Sequence, residues 1–379
     1  MKVALVHDQL QEFGGAERVF LALKKIFPES DVFTSFYNVN SLDKHAPDWR
    51  NWNIKTSWAS RIPFFGRLYS PLRFLAPSIW ESFDFTGYDL VITSSGWFMS
   101  KGIITHSTGS GRAKSKPLHV CYLHHQPRYL YGYETAVEWQ RYWPVRIYAH
   151  IINHFLRIWD YQSSQRPDYI IVNSEETKRR VKKFYRRDST VIYPPVSIPK
   201  QITNNKSQIT NNHYITISRL TKAKHIDLLI QAANEMKFKL KIIGTGRDEE
   251  YLKSIAGPAV EFLGNVLDSD FPKFLGNAKA FLFASRDEEF GIAPVEAMGY
   301  GTPVIAYKSG GLIETVHDGT NGYLFDELSA DSLIQKIKQL EKLNNQEMLE
   351  MRKNARRESE KYSEERFRKE ILEFVKSHA

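Results

Sequence analysis

Residues 288–303 read EEFGIAPVEAMGYGTP, and this stretch decides the fold. The run before it, FLFASRD, is short and apolar at its start, which predicts a buried parallel strand ending by Ser285. Phe290, Gly291 and Ile292 read as a turn. Pro294 suits the first turn of a helix, where its missing N–H costs nothing. That helix carries Val295, Glu296, Ala297 and Met298 and ends near Gly301. GTPVIAY follows as the next strand, and Ser309, Gly310 and Gly311 as the next glycine-rich loop. Glu288 therefore falls in the loop at the carboxyl end of a strand, and Glu296 inside the helix behind it. Open parallel sheets bind ligands at that edge, and the N–H groups of a helix N-terminus there favour an anion. Two carboxylates beside an anion site suit the hydroxyls of a phosphorylated sugar better than its phosphate. Glutamates at this spacing also occur on ordinary surface helices, so it is the ordered context that carries weight.

The same strand-to-loop logic extends in both directions. YITI (214–217) reads as a strand, and SRLTKAKH (218–225) as the loop after it. Arg219 and Lys224 would project from that loop, and a guanidinium with an ammonium is what a leaving diphosphate needs. The alternative is two ordinary surface bases. Gly244 and Gly246 follow the next strand, but Glu249 stands where a third glycine would complete a dinucleotide fingerprint, so a nicotinamide site is poorly supported. Towards the N-terminus, residues 2–7 form a largely apolar strand, then Gly14 and Gly15 open a helix. Backbone at such a junction can approach a diphosphate closely; otherwise it is a tight turn. Further strands end at polar clusters, above all HHQPRY (124–129). Asn173 and Ser174 cap a basic helix. QITNN occurs twice between residues 196 and 213, a polar low-complexity linker without assigned function.

Strand–helix alternation in both halves predicts α/β architecture with two doubly wound domains. Their expected extents are 1–195 and 214–360, joined by the 196–213 linker, with 361–379 as a C-terminal helix crossing back to the first domain. A chain of 379 residues is long for one core and comfortable for two. The single cysteine, Cys121, excludes a disulfide framework and a cysteine-based metal cluster. No stretch is apolar for long enough to span a bilayer, and MKVALVHD reads as a core strand rather than a signal peptide. These features predict a cytoplasmic protein.

The net charge is +9. Residues 50–80 contain no acidic residue but hold Arg50, Lys55, Arg61, Arg67 and Arg73, interleaved with Trp58, Phe64, Phe65, Leu68, Phe74 and other apolar residues. That pattern fits an anionic membrane surface and equally a core helix with basic rims. RNA-binding signatures are absent, so no nucleic acid is expected.

Residues Glu288, Phe290, Gly291, Pro294, Glu296, Ala297, Met298, Gly301, Pro303, Val304, Gly310, Gly311 and Glu314 together resemble family 4 of the retaining glycosyltransferases. The likeness extends to HD…GGAE at the N-terminus, to Tyr122, His124, Arg128 and Tyr129, to YPPV at 193–196 and to R-L-x-x-x-K at 219–224. Gln9 departs from it, standing where this branch usually carries an aromatic residue. The resemblance implies the GT-B fold, two Rossmann-like domains facing an interdomain cleft. It implies that Arg219 and Lys224 hold the donor pyrophosphate, and that Glu288, with the backbone of Phe290, Gly291 and Ile292, holds sugar hydroxyls. Glu296 would bind ribose, and His124 would contact the sugar. Gly14, Gly15, Gly244, Gly246, Gly310 and Gly311 would line the donor site. Asp8, Arg128 and Tyr129 would face the acceptor. The nearest likeness is to bacterial mannosyltransferases that build O-antigen, capsule or exopolysaccharide on a polyprenyl-diphosphate carrier. It implies a nucleotide diphosphate sugar as donor, GDP-mannose foremost, and a lipid-linked oligosaccharide acceptor at the inner face of the cell membrane. The only Asp-x-Asp, at 268–270, falls where a helix should start and reads as a cap, so no metal or other cofactor is expected. A UDP-sugar transferase with another acceptor, a sugar-nucleotide epimerase and a basic lipid- or nucleic-acid-binding module remain as alternatives.

Overall fold

The structure, a computed structural model, describes residues 1–105, 116–135, 142–199, 213–267 and 270–378. Both QITNN copies, Asp268 and Ser269 lie outside the described residues. The chain divides into two compact units. The first comprises Met1–Tyr133, Trp139–Pro195 and Glu365–Ala379; the second comprises Glu134–Glu138 and Val196–Glu364.

The first unit is built on seven parallel strands: β1 (Val3–His7), β2 (Asp31–Thr34), β3 (Ile54–Thr56), β4 (Leu90–Ser95), β5 (Leu118–Leu123), β6 (Tyr169–Val172) and β7 (Thr190–Val191). Their order is β3-β2-β1-β4-β5-β6-β7. β1 pairs with β2 on one side and β4 on the other, so the winding reverses between β1 and β4. The carboxyl ends of those two strands are the topological switch point where open parallel sheets hold ligands. β1 and β4 are buried along their whole length, apolar where they begin and polar at His7, Thr93, Ser94 and Ser95 where they end. The final helix, Glu364–His378, places Phe367, Ile371, Phe374 and Val375 in this unit's core. A preceding helix, Asn345–Glu360, is separate from it. The helix expected from 361 therefore starts at Glu364, after residues 361–363, where Tyr362 O accepts from Val196 N at 2.8 Å.

Beneath the first sheet lies a fully buried ion pair. Lys101 Nζ donates to Asp160 Oδ1, and their side chains are 1% and 0% exposed. Tyr131 and Tyr185 donate hydroxyls to the other carboxylate oxygen at 2.7 and 2.8 Å. Burial and the adjacent Asp160 charge hold both phenols above their ordinary range.

The second unit has six parallel strands: β8 (His213–Ile217), β9 (Lys239–Ile243), β10 (Val260–Gly264), β11 (Phe281–Phe283), β12 (Val304–Tyr307) and β13 (Gly322–Phe325). Their order, β10-β9-β8-β11-β12-β13, reverses between β8 and β11. Both units are thus doubly wound and Rossmann-like, as the sequence predicts.

The basic aromatic segment at 50–80 divides between core and surface. Ala59, Phe65, Ile79 and Trp80 are core, and Arg73 is buried with its guanidinium donating to Asn153 Oδ1 at 3.0 and 3.2 Å. Phe64, Leu68, Phe74, Arg61 and Arg67 remain exposed. Asn153 belongs to the long helix Trp143–Ser163. Along that helix Trp143, Ile147, Ile151, Phe155 and Ile158 are between 48% and 66% exposed. Arg146, His150, His154 and Arg157 are exposed with them, while its one acidic residue is the buried Asp160. No described helix is long and apolar enough to cross a membrane.

Candidate active site

In the second unit the loops after β8 and β11 meet at the switch point. Lys224 closes a short 3-10 turn, Lys222–Lys224, and its ammonium donates to Glu288 Oε2 at 2.5 Å. Ser285 Oγ donates to the same oxygen at 2.8 Å and accepts from Lys224 Nζ at 3.3 Å. The side chains of the pair are 16% and 19% exposed, so charge is concentrated at a partly exposed loop edge. Arg219 lies exposed in the same loop. Sequence reasoning assigned Lys224 and Glu288 to different ligand groups; the structure joins them and adds Ser285.

The glycine loops hold this edge by backbone contact. Gly310 has φ +59°, and a Cβ there would lie 2.0 Å from Glu288 O. Gly311 N–H donates to Glu288 O at 2.8 Å, and a Cβ on it would lie 2.2 Å from Glu289 O. The helix that follows, Leu312–Thr315, has only four residues. Gly244 and Gly246 likewise abut Ser218 and Leu220, with Leu220 N–H donating to Thr245 O at 3.0 Å. They position the loop that carries Arg219.

The helix expected after Gly291 runs Ile292–Gly299, so Ile292 is its first residue and not part of a turn. Gly291 caps it with φ +86°, a conformation suited to glycine. Pro294 falls in the first turn as required. Phe290 is buried, its ring edge-on to Tyr362 at 5.1 Å. Glu296 is 5% exposed on the same helix. Asp270 stands at the start of helix Phe271–Leu275, but its carboxylate accepts from Lys273 at 2.7 Å and makes no side-chain cap.

In the first unit the carboxyl ends of β1, β4 and β5 bring His7, Asp8, Ser94 and His124 together. Asp8 is held by the backbone around β4. Its carboxylate is spent on three backbone N–H groups, from Gly96 and Phe98 at 3.0 and 2.8 Å and from Ser100 at 2.8 Å. Gly14 N–H donates to Glu17 Oε2 at 2.8 Å, so a carboxylate already stands at the start of helix Gly15–Ile26. Tyr129 packs its ring against Trp97 and Arg73, and its hydroxyl has no partner among the described residues. Arg128 opens the short helix Arg128–Tyr131 and is partly buried. His124 is 5% exposed and lies 2.7 Å from Ser94 Oγ.

Gln126 is the residue that sequence reading passed over. It is 1% exposed, and neither its amide oxygen nor its nitrogen has a hydrogen-bond partner among the described residues. Leaving such a group buried costs roughly 1–3 kcal/mol, and a bound polar ligand would recover it. Gln126→Met, of similar volume, is expected to raise unfolding stability by about that amount in urea titrations of the unliganded chain. Further along the edge, a groove of about 750 Å³ is lined by Gln11, Phe36, Tyr37, Asn38, Phe64 and Arg67. Phe64 holds φ +60° while 71% exposed, a strained position for an aromatic residue.

Comparison with known proteins accounts for both units. The family described as Glycosyltransferase Family 4 matches residues 13–199, and that described as Glycosyl transferases group 1 matches residues 197–359. An uncharacterised glycosyltransferase of Methanocaldococcus jannaschii is 31% identical over 204 residues, 52% of this chain and 56% of that protein. The chain thus spans about half the length of that relative. A mouse GDP-Man:Man(3)GlcNAc(2)-PP-Dol alpha-1,2-mannosyltransferase is 25% identical over 422 residues, 96% of this chain and 84% of that protein. Among solved structures, Anabaena HepE in complex with UDP and glucose superposes with a TM-score of 0.67 at 20% identity, covering 100% of both chains. Matched through residues 13–359 and folded as two Rossmann-like units of the GT-B type, the chain belongs to glycosyltransferase family 4.

Proposed function

We propose that this glycosyltransferase moves mannose from GDP-mannose, with retention of configuration, onto a hydroxyl of a polyprenyl-diphosphate-linked oligosaccharide during surface polysaccharide synthesis. The observation that carries this reading is the Lys224–Glu288–Ser285 cluster at the β8/β11 switch point. An ammonium has three N–H groups; Glu288 and Ser285 occupy two, and the third suits a phosphate oxygen. Glu288 can then accept hydroxyls of the sugar that the phosphate carries. As the glycosidic bond stretches, negative charge grows on the leaving phosphate, and Lys224 with Arg219 neutralises it without a metal. Glu296 binds the ribose hydroxyls, and His124 meets the sugar. The donor phosphate itself takes the acceptor proton.

The mouse relative, named for a GDP-mannose donor and a PP-dolichol acceptor, favours this donor and acceptor class. The exposed apolar row on Trp143–Ser163, flanked by Arg146, His150, His154 and Arg157, supports an anionic membrane surface as the place of work, where the carrier lipid resides. The aromatic and amide groove at Gln11 and Phe64 supports a saccharide on the acceptor side. A UDP-sugar donor is the second reading, favoured by the UDP bound in HepE.

Thermal stabilisation by GDP, UDP, ADP, dTDP and GDP-mannose separates them. The expected result is a shift with GDP and GDP-mannose alone, reduced in Arg219→Ala. A shift with UDP alone would transfer the proposal to a UDP-sugar, and no shift with any nucleotide would refute it.

A further inference from the structure

The groove at Gln11 and Phe64 combines ring faces, unused polar groups and one charge. Its walls come from the loop after β1, from residues 36–39 after β2, and from residues 56–67 at the end of β3 and beyond. β3, β2 and β1 are neighbours in the sheet, so the groove lies at its carboxyl edge. Its volume, about 750 Å³, falls within the roughly 300–1,000 Å³ of small-ligand sites.

Phe36 and Phe65 pack edge-on at 5.4 Å and belong to the core. Phe64 does not. It is 71% exposed at φ +60°, so no burial offsets its backbone conformation. Folding alone would favour glycine or asparagine there. An exposed ring at the rim of a polar groove offers a flat apolar face, which the C–H side of a pyranose can cover. Around it the polar groups are unused. The side chains of Gln11 and Tyr37 make no hydrogen bond among the described residues. Asn38 accepts from Ser41 N–H at 3.3 Å through Oδ1 and keeps both amide N–H groups. Gly66 makes room for Gln11, since a Cβ on it would lie 2.9 Å from Gln11 Oε1.

Arg67 is the one charged group among the described lining residues. It is exposed, and its guanidinium has no carboxylate or hydrogen-bond partner among the described residues. No acidic residue between positions 50 and 80 is at hand to neutralise it. A planar fork of donors matches a phosphate or a carboxylate through two parallel hydrogen bonds. An isoprenoid chain would use none of these polar groups, and a neutral sugar would leave Arg67 aside.

We propose that this groove binds a saccharide bearing an anionic group, with Phe64 against the ring, Gln11, Tyr37 and Asn38 on its hydroxyls and Arg67 on the anion. That the saccharide is part of the acceptor rests on the reaction proposed above; the binding does not. The anion has two sources with the same chemistry for Arg67: the phosphate that links a sugar to its carrier, or the carboxylate of an acidic sugar.

The test is ligand-observed NMR titration of the full chain with glucose 1-phosphate, glucuronic acid, glucose and inorganic phosphate. One of the two charged sugars should bind about 10-fold or more tighter than glucose, and which one it is identifies the source of the anion. Arg67→Gln should remove that advantage, while Lys224→Met should keep it, which separates the groove from the donor loops. Phe64→Gly should weaken every sugar without lowering thermal stability, because glycine adopts φ +60° freely. Gly66→Ala, which displaces only the tip of Gln11, should also weaken them. Equal binding of charged and neutral sugars, no binding of any sugar, or an advantage that survives Arg67→Gln would overturn the proposal. So would inorganic phosphate that binds as tightly as glucose 1-phosphate, since the sugar would then contribute nothing. The expected pattern in a chain that no nucleotide stabilises would support the groove while overturning the reaction proposed above.

Discussion

Lys224→Met is expected to lower turnover by about 100- to 1000-fold, the range seen when one preorganised charge-stabilising donor is removed. Methionine keeps most of the apolar stem of lysine, while the ammonium it lacks lies 5.6 Å from the centre of the Phe283 ring. What disappears is the ammonium. The fold should barely respond. A partly exposed ion pair contributes about 0–1 kcal/mol, and Ser285 still donates to Glu288 after the change. The loop itself is held by backbone contacts from Gly310 and Gly311 that do not involve Lys224. Turnover and urea unfolding measured on one preparation distinguish the outcomes. A loss of turnover matched by unfolding would make Lys224 a structural residue. Lys224→Arg should recover little, because a planar fork does not replace a compact ammonium between a carboxylate and a phosphate.

Lys101→Met is expected to destabilise the first unit by about 3–5 kcal/mol, because it strands the Asp160 charge in a dry core. Asp160 would retain only the hydroxyls of Tyr131 and Tyr185. The pair as a whole is another matter. Desolvating two ions costs nearly what their attraction returns, so Lys101→Met with Asp160→Asn should recover much of the loss. Urea titrations of the two single variants and the double variant form the cycle that measures this. A single-variant cost near zero would show that Asp160 finds another cation or takes up a proton without penalty.

The architecture was legible because buried parallel strands announce themselves as apolar runs, and because each run ends at a polar or glycine-rich loop. The residue types at the switch points were legible for the same reason. The partnerships were not. Lys224 and Glu288 are 64 positions apart, and nothing in either loop says that one carboxylate and one ammonium meet. Asp8 looked like an acceptor ligand beside a strand end, yet its partners are backbone N–H groups 88 to 92 residues away. Glycines at 310 and 311 read as a glycine-rich loop, and only the structure shows that their missing Cβ atoms allow close approach to the backbone of residues 288–290. Ser94 and His7 carried no local signal at all; only the register of β1 against β4 makes them neighbours. Gln126 was read as part of a polar cluster, and its unpartnered amide emerges only when burial is known.

The most direct measurement incubates the purified chain with radiolabelled GDP-mannose and polyprenyl-diphosphate oligosaccharide in anionic vesicles, then partitions the products into organic solvent. Label should pass to the lipid phase as an α-linked mannose, and Lys224→Met should all but abolish the transfer. Label that stays on the nucleotide while UDP-sugars are turned over, or that is set epimerised and released without acceptor, would contradict the account.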